Sequence, residues 1–276
     1  MRVEYEQMTP GEIVQARDRL PVAFVPLGPI EWHGPHLPFG TDAIHAGHVA
    51  RRLALELGGV VLPTFFIGTE TLRLPGAGAE ELGALGLDDD ARVVGMDLPT
   101  NPVKSLYFEE GAFAVAVREI VRGLKNDAWR LIVLVNGHGA VNHMRTLERI
   151  AREETDLPDV RVISLMAWTA PKPPSQGPGH ADREETAVMM AIAGELVRLD
   201  ELPPLETPLR YVDYGIVDSA AFDGFPGDDF LLPRDADPRL ATREEGEEIL
   251  MQELEAGLST VRETLEHLGL RASPSK

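Results

Sequence analysis

The chain alternates short, mostly apolar runs of strand length with longer runs whose apolar residues recur at helical spacing, and no other feature restricts its fold as much. Val22–Ile30 is an apolar run that ends in turn chemistry and suits a buried strand. Over Asp42–Leu57, the residues Ile44, Val49, Leu53 and Leu57 fall near helical spacing, with Thr41 or Asp42 placed to cap the helix. Val60–Ile67 reads as a second strand, Glu109–Lys125 as a helix, Arg130–Val135 as the strongest strand and Met144–Glu154 as the helix after it. Val160–Leu165 then reads as a strand, and Arg183–Leu199 and Glu244–Leu268 as helices. The alternation predicts a three-layer α/β/α sandwich with a mostly parallel central sheet. In such folds ligands bind outside the carboxyl ends of the strands.

Two stretches interrupt the pattern. Gly68–Ser105 is rich in Gly, Asp and Pro, and Pro171–Gly179 is a Pro/Gly loop. A loop as long as the first is expected to act as a lid or binding loop. The expectation is therefore one domain over residues 1–270 with an insertion at 68–108 and a disordered tail at 271–276. The 26 Lys and Arg stand against 45 Asp and Glu, and this net charge of −19 argues against nucleic acid or an anionic membrane as partner. Met1–Leu20 carries Glu4, Glu6 and Glu12 with no apolar core, so no signal peptide is read there, and a cytoplasmic protein is expected.

Seven of the eight histidines lie in three segments, each just after a predicted strand or in the turn leading into a helix. The first segment packs Glu31, His33, His36 and Asp42 into twelve Gly- and Pro-rich residues. Glu31 and His33 are two apart, so in an extended segment they leave on one side. The second, Asn136-Gly-His138-Gly, follows the strongest strand, with His138 the natural ligand and Asn136 or Asn142 able to orient it. The third is His180-Ala-Asp-Arg-Glu184-Glu185-Thr186, where Glu184 and Glu185 point about 100° apart on a helix, so that one of them reaches a site. Each segment also has a plain reading: a polar turn, a tight turn, and a helix N-terminus enriched in acids. The chain has no cysteine, so a metal ligand must be nitrogen or oxygen, and a carboxylate–imidazole set suits Zn, Mn or Fe. Carboxylate bridges favour two-metal sites. No G-x-S-x-G elbow, G-x-x-x-x-G-K-[ST] loop or H-E-x-x-H helix is present.

In order along the chain, E-x-H-G-x-H-L-P-x-G-T-D, N-G-H-G-x-x-N and H-A-x-x-x-E-T resemble the motifs of the creatininase family, and Asp237-Pro-Arg-Leu-Ala-Thr-Arg-Glu-Glu-Gly246 resembles a fourth. The resemblance spans about residues 20–250. It implies a three-layer sandwich, assembled as a homohexamer, with two divalent ions bridged by a water or hydroxide. Zinc is the expected metal, with manganese or iron as alternatives. Carried over, Glu31, Asp42 and His138 would bind one ion and His33 with Asp42 the other. Creatininase itself has a Glu two residues after the NGH histidine; Ala140 stands there in this chain, and Glu185 is the natural substitute. His180 would be the general acid/base, and His36 would hydrogen-bond the substrate or its tetrahedral intermediate. Trp168, Lys104 and Tyr107 are candidate pocket residues.

The activity so implied is hydrolysis of a cyclic amide or formamide-type C–N bond in a small polar molecule. Gln176 stands near where creatininase carries a tryptophan, so creatinine itself is not the expected substrate. The 68–110 segment resembles the branch that hydrolyses oxidised inositols, which leaves ring-opening C–C hydrolysis as a second reading. A metal-binding homologue without catalysis is the third.

Overall fold

The computed structural model describes residues 2–73, 93–97, 101–168, 180–212, 215–217 and 231–271. Most of the expected insertion, the Pro171–Gly179 loop with Gln176 and residues 272–276 of the tail lie outside them. The first helix, α1 (Pro10–Arg19), leads into strand β1 (Val22–Gly28), then α2 (Thr41–Leu57) and the short strands β2 (Val60–Val61) and β3 (Phe65–Phe66). Strands β4 (Leu72–Arg73) and β5 (Val93–Val94) form a separate antiparallel pair. There follow α3 (Glu110–Asn126), β6 (Leu131–Asn136), α4 (Val141–Glu154), β7 (Arg161–Met166), α5 (Arg183–Ala193), the antiparallel pair β8 (Arg210–Val212) and β9 (Gly215–Val217), and α6 (Arg243–His267).

The main sheet has the order β2-β1-β6-β7, with β3 also paired to β1, and every pairing is parallel. Side chains alternate across it with the two-residue period of a strand. Phe24, Leu131, Val133 and Val135 meet Val49 and Leu53 of α2 and Val261 and Leu265 of α6 on one face. Ala23, Val25, Leu27, Ile132 and Leu134 meet Phe113, Val117 and Val121 of α3 and Leu147 and Ile150 of α4 on the other. Burial on both faces explains why β1 and β6 are continuous apolar runs rather than alternating ones. The three-layer α/β/α sandwich is therefore the fold. Among the described residues no helix is long and apolar enough to cross a membrane.

The structure departs from the sequence expectation at four places. The run 60–67 is two short strands, broken around Pro63, whose ring cannot donate to a ladder. The helix expected to reach Leu199 ends at Ala193 before Gly194, and two 3₁₀ turns, Gly194–Leu196 and Leu199–Glu201, take over. A helix not expected from the apolar pattern, α1, is started by a capping box between Thr9 and Glu12 with Pro10 in its first turn. Finally, neither Thr41 nor Asp42 caps α2: its N-cap is Gly40, and the Thr41 hydroxyl donates to the Pro38 carbonyl at 2.7 Å. Asp42 sits in the first turn with its carboxylate turned elsewhere.

Candidate metal centre

The parallel register brings three loops together. Leu27 of β1 is level with Asn136 of β6, which is level with Met166 of β7, so the segments after Gly28, Asn136 and Met166 leave the same end of the sheet. Gly137 lets them close: a Cβ there would overlap the Asp42 backbone carbonyl. The turn after β6 can thus lie directly on the start of α2.

Asp42 is the hub. Its Oδ1 lies 3.1 Å from Nε2 of His33 and its Oδ2 lies 2.9 Å from Nδ1 of His138. Glu31 Oε2 is 3.1 Å from the same His138 nitrogen, and Glu185 Oε2 is 3.9 Å from His33 Nε2. Glu31, His33, Asp42, His138 and Glu185 are all buried. Their ligand atoms fall into two groups that share Asp42: Glu31, Asp42 and His138, and His33, Asp42 and Glu185, each with all atoms within 4.8 Å of one another. Glu31, His33 and His180 form a third such group. Of the two acids after His180, it is Glu185 that reaches inward. The Asp182 side chain caps α5, accepting from the amides of Glu184 at 3.0 Å and Glu185 at 3.1 Å, and this fixes the turn on which Glu185 sits.

The electrostatics follow from burial. Desolvation alone would raise the Asp42 carboxyl, but the His33 charge and hydrogen bonds from His138 and His33 outweigh it and hold Asp42 well below the usual range. Desolvation would likewise lower the His33 imidazole, yet Asp42, Glu185 and Glu31 bring it up to about 10. His138 is raised by Glu31 and Asp42 against the same desolvation. Glu185, with burial as its largest influence, is pushed up. Buried carboxylates at this density demand compensating positive charge. Divalent cations would supply it with the imidazoles neutral. The donor set, all nitrogen and oxygen, fits Zn, Mn or Fe.

Backbone and side-chain contacts orient the donors. His33 has Nδ1 3.0 Å from the Glu31 carbonyl, which leaves Nε2 facing Asp42 and Glu185. The Tyr107 hydroxyl donates to Glu31 Oε1 at 2.6 Å, so Tyr107 holds a carboxylate of the cluster. Asn136 brackets the main chain of His138, accepting from its amide and donating to its carbonyl at 2.8 Å each. Trp168 donates from Nε1 to the Gly137 carbonyl at 2.9 Å. His180 places Nε2 2.7 Å from the Trp32 carbonyl, with its ring 4.3 Å from that of His33. His36 is buried, with Nε2 2.9 Å from the Thr186 hydroxyl. Lys104 is exposed.

Three further residues stand around the cluster. Glu70, just beyond β3, has Oε2 3.4 Å from His138 Nε2. His143 is buried with its ring 5.0 Å from that of His138. Glu253 of α6 meets His45, one turn beyond Asp42, at 2.8 Å, both side chains being fully buried. His143 belongs to the second histidine segment; Glu70 and Glu253 carry no motif signal, and for Glu70 the topology gives the hint, since β3 delivers its following residues to the same end of the sheet as β1.

A parallel sandwich carrying this buried carboxylate–imidazole centre at the carboxyl ends of its strands defines a metal-dependent hydrolase. Residues 6–80 and 104–260 match the creatininase (creatinine amidohydrolase) family. The chain belongs to the creatininase family and is a metal-dependent amidohydrolase. It is 27% identical over 249 residues to the creatinine amidohydrolase of Pseudomonas putida, covering 83% of this chain and 84% of that protein. It is 30% identical over 237 residues to the mycofactocin precursor peptide peptidase of Mycobacterium tuberculosis, covering 83% of this chain and 80% of the relative. A crystal structure of creatinine amidohydrolase superposes with TM-score 0.67 at 22% identity, covering 95% of this chain and 98% of that one.

Proposed function

We propose that the chain is a dinuclear hydrolase that cleaves a cyclic amide or formamide-type C–N bond of a small polar molecule. The observation that carries this reading is the division of Asp42, one oxygen toward His33 and the other toward His138, which gives two donor sets joined by one carboxylate. Glu31, Asp42 and His138 would hold one cation, and His33, Asp42 and Glu185 would hold the other. Zinc is the cation proposed, and manganese or iron would suit the same donors. When bound, the two cations supply a water activated at neutral pH and an electrophile for the substrate carbonyl.

The chain's own residues do the rest. Tyr107 keeps Glu31 from rotating away from His138. His180, less buried than the ligands and held through Nε2 at the Trp32 carbonyl, donates a proton from Nδ1 to the departing nitrogen. His36, through Thr186, supports the turn of α5 that carries Glu185, and it is the proposed hydrogen-bond partner of the substrate or its tetrahedral intermediate. Both relatives are named for cleaving amide bonds, which favours C–N over C–C hydrolysis. A homohexameric, cytoplasmic enzyme completes the reading.

A substrate screen with metal analysis tests it, spanning creatinine, hydantoins, formamidopyrimidines and oxidised inositols. Turnover of a cyclic amide or formamide that is lost on chelation is expected. Turnover confined to an oxidised inositol would overturn the C–N assignment, and metal binding without turnover on any of them would favour a non-catalytic homologue.

A further inference from the structure

His138 presents two ring nitrogens to two different environments. Nδ1 faces Asp42 at 2.9 Å and Glu31 at 3.1 Å, while Nε2 is buried and makes no hydrogen bond, its facing group being Glu70 Oε2 at 3.4 Å. A neutral imidazole carries its proton on one nitrogen and lends a lone pair from the other, and the partner of the protonated nitrogen sets which is which. Asn136, the residue expected to orient His138, spends both ends of its amide on the His138 main chain and leaves the ring alone.

Glu70 is built into place. Thr69 and Thr71 on either side of it are stapled to the start of α4. The Thr69 amide donates to His143 Nδ1 at 3.3 Å, and Asn142 reaches the Thr69 hydroxyl at 3.5 Å and accepts from the Thr71 hydroxyl at 3.3 Å. Oε1 of Glu70 accepts from the Thr71 amide, which leaves Oε2 for His138. Gly95, at φ +54°, closes over the pair Glu70 and Tyr107; a Cβ there would stand 2.6 Å from the Tyr107 hydroxyl and would overlap Glu70 Cγ. The Glu70 side chain is 15% exposed.

We propose that Glu70 is a positioning residue: it receives the Nε2–H of His138 and so turns Nδ1 of that ring toward Glu31 and Asp42 as a lone-pair donor. This rests on the metal reading of the site given above. Glu70 and Tyr107 then both support the donor set of Glu31, Asp42 and His138. Glu70 orients His138 and Tyr107 orients Glu31, whereas His33 in the second set is oriented by the Glu31 backbone carbonyl. A carboxylate behind a ligating histidine changes metal affinity by roughly 10–100-fold.

The test is zinc affinity by chelator competition on the full chain for the parent and for E70A, E70Q, H138A and H33A. The two single-histidine variants identify which binding step belongs to which donor set. E70A should weaken by roughly 10–100-fold only the step that H138A abolishes, and E70Q, whose amide oxygen still accepts, should recover part of it. In the zinc-loaded parent, ¹⁵N NMR of His138 should show the proton on Nε2. If E70A binds at that step within twofold of the parent while H138A has lost it, or if E70A weakens both steps alike, Glu70 does not position His138. If H138A binds zinc as the parent does, the metal reading itself fails and the Glu70 role falls with it.

Discussion

Asp42 Oδ2 stands 2.9 Å from His138 Nδ1, across the seam where the first turn of α2 meets the loop after β6. The two residues are 96 positions apart in sequence and meet because β1 and β6 are adjacent parallel strands in exact level at Leu27 and Asn136. The other oxygen of Asp42 serves His33, so each histidine can be removed without dismantling the opposite donor set.

That separation predicts an asymmetric loss of metal. H138A and H33A should each fall from two zinc ions per chain to about one, by elemental analysis after dialysis. Both should lose turnover, since the proposed reaction uses both cations. Loss of both ions in either variant would mean that the two sets do not bind independently.

His180 separates catalysis from binding. H180A should retain its metal and lose turnover by roughly 10²–10⁴, the size of a missing acid/base. The third donor group, Glu31 with His33 and His180, provides the alternative outcome. If H180A loses metal, His180 is a ligand.

His36 predicts a pH dependence of stability. Burial first, then the charges of His33 and His180, lowers its imidazole to about 3. An unfolded histidine titrates near 6.5, so between about 3 and 6.5 the unfolded chain binds a proton that the folded chain refuses. This contribution is therefore favourable above pH 6.5 and declines as pH falls, by up to about 1.4 kcal/mol per pH unit. In urea titrations of chelator-treated protein, the parent should lose stability relative to H36Q between pH 6.5 and 4.5. A constant difference between the two across that range would contradict it.

The His45–Glu253 pair joins α2 to α6 at 2.8 Å with no solvent exposure. Removing one partner strands the other in the core. E253A should cost about 2–5 kcal/mol in urea unfolding. Zinc content at saturating metal should stay at the parental level, because His45 points to α6 and not to the donor sets. A loss under 1 kcal/mol would show that the pair is dispensable.

How much of this was legible in the sequence follows from which interactions are local. The strands and helices of the sandwich appear as periodicity because each buries a face against the sheet, and β6 is read without error at its core for that reason. Glu31, His33, Asp42 and His138 stand out because Gly- and Pro-rich turns with carboxylates and imidazoles have little reason to be so dense otherwise, whereas Glu185 is separated from Glu184 only by the family resemblance. Asp42 looked equally suited to cap a helix, since capping and ligation ask for the same short carboxylate; only the approach of His138 across the sheet decides between them. Glu70 and Glu253 act through contacts at sequence separations that no local pattern records, and Tyr107 reads from the sequence as a pocket residue rather than as the partner of Glu31. The break at Pro63 and the early end of α5 at Ala193 were written in single residues, a proline and a glycine, that the apolar pattern overrode.

Asp42 is the residue on which both donor sets depend, so the metal content and turnover of D42A test the account most directly. The parent should hold two divalent ions per chain, and D42A should hold close to none and turn over no amide or formamide, with its folded structure retained by circular dichroism. A D42A variant that keeps the parent's turnover after chelation and metal-free dialysis would contradict it.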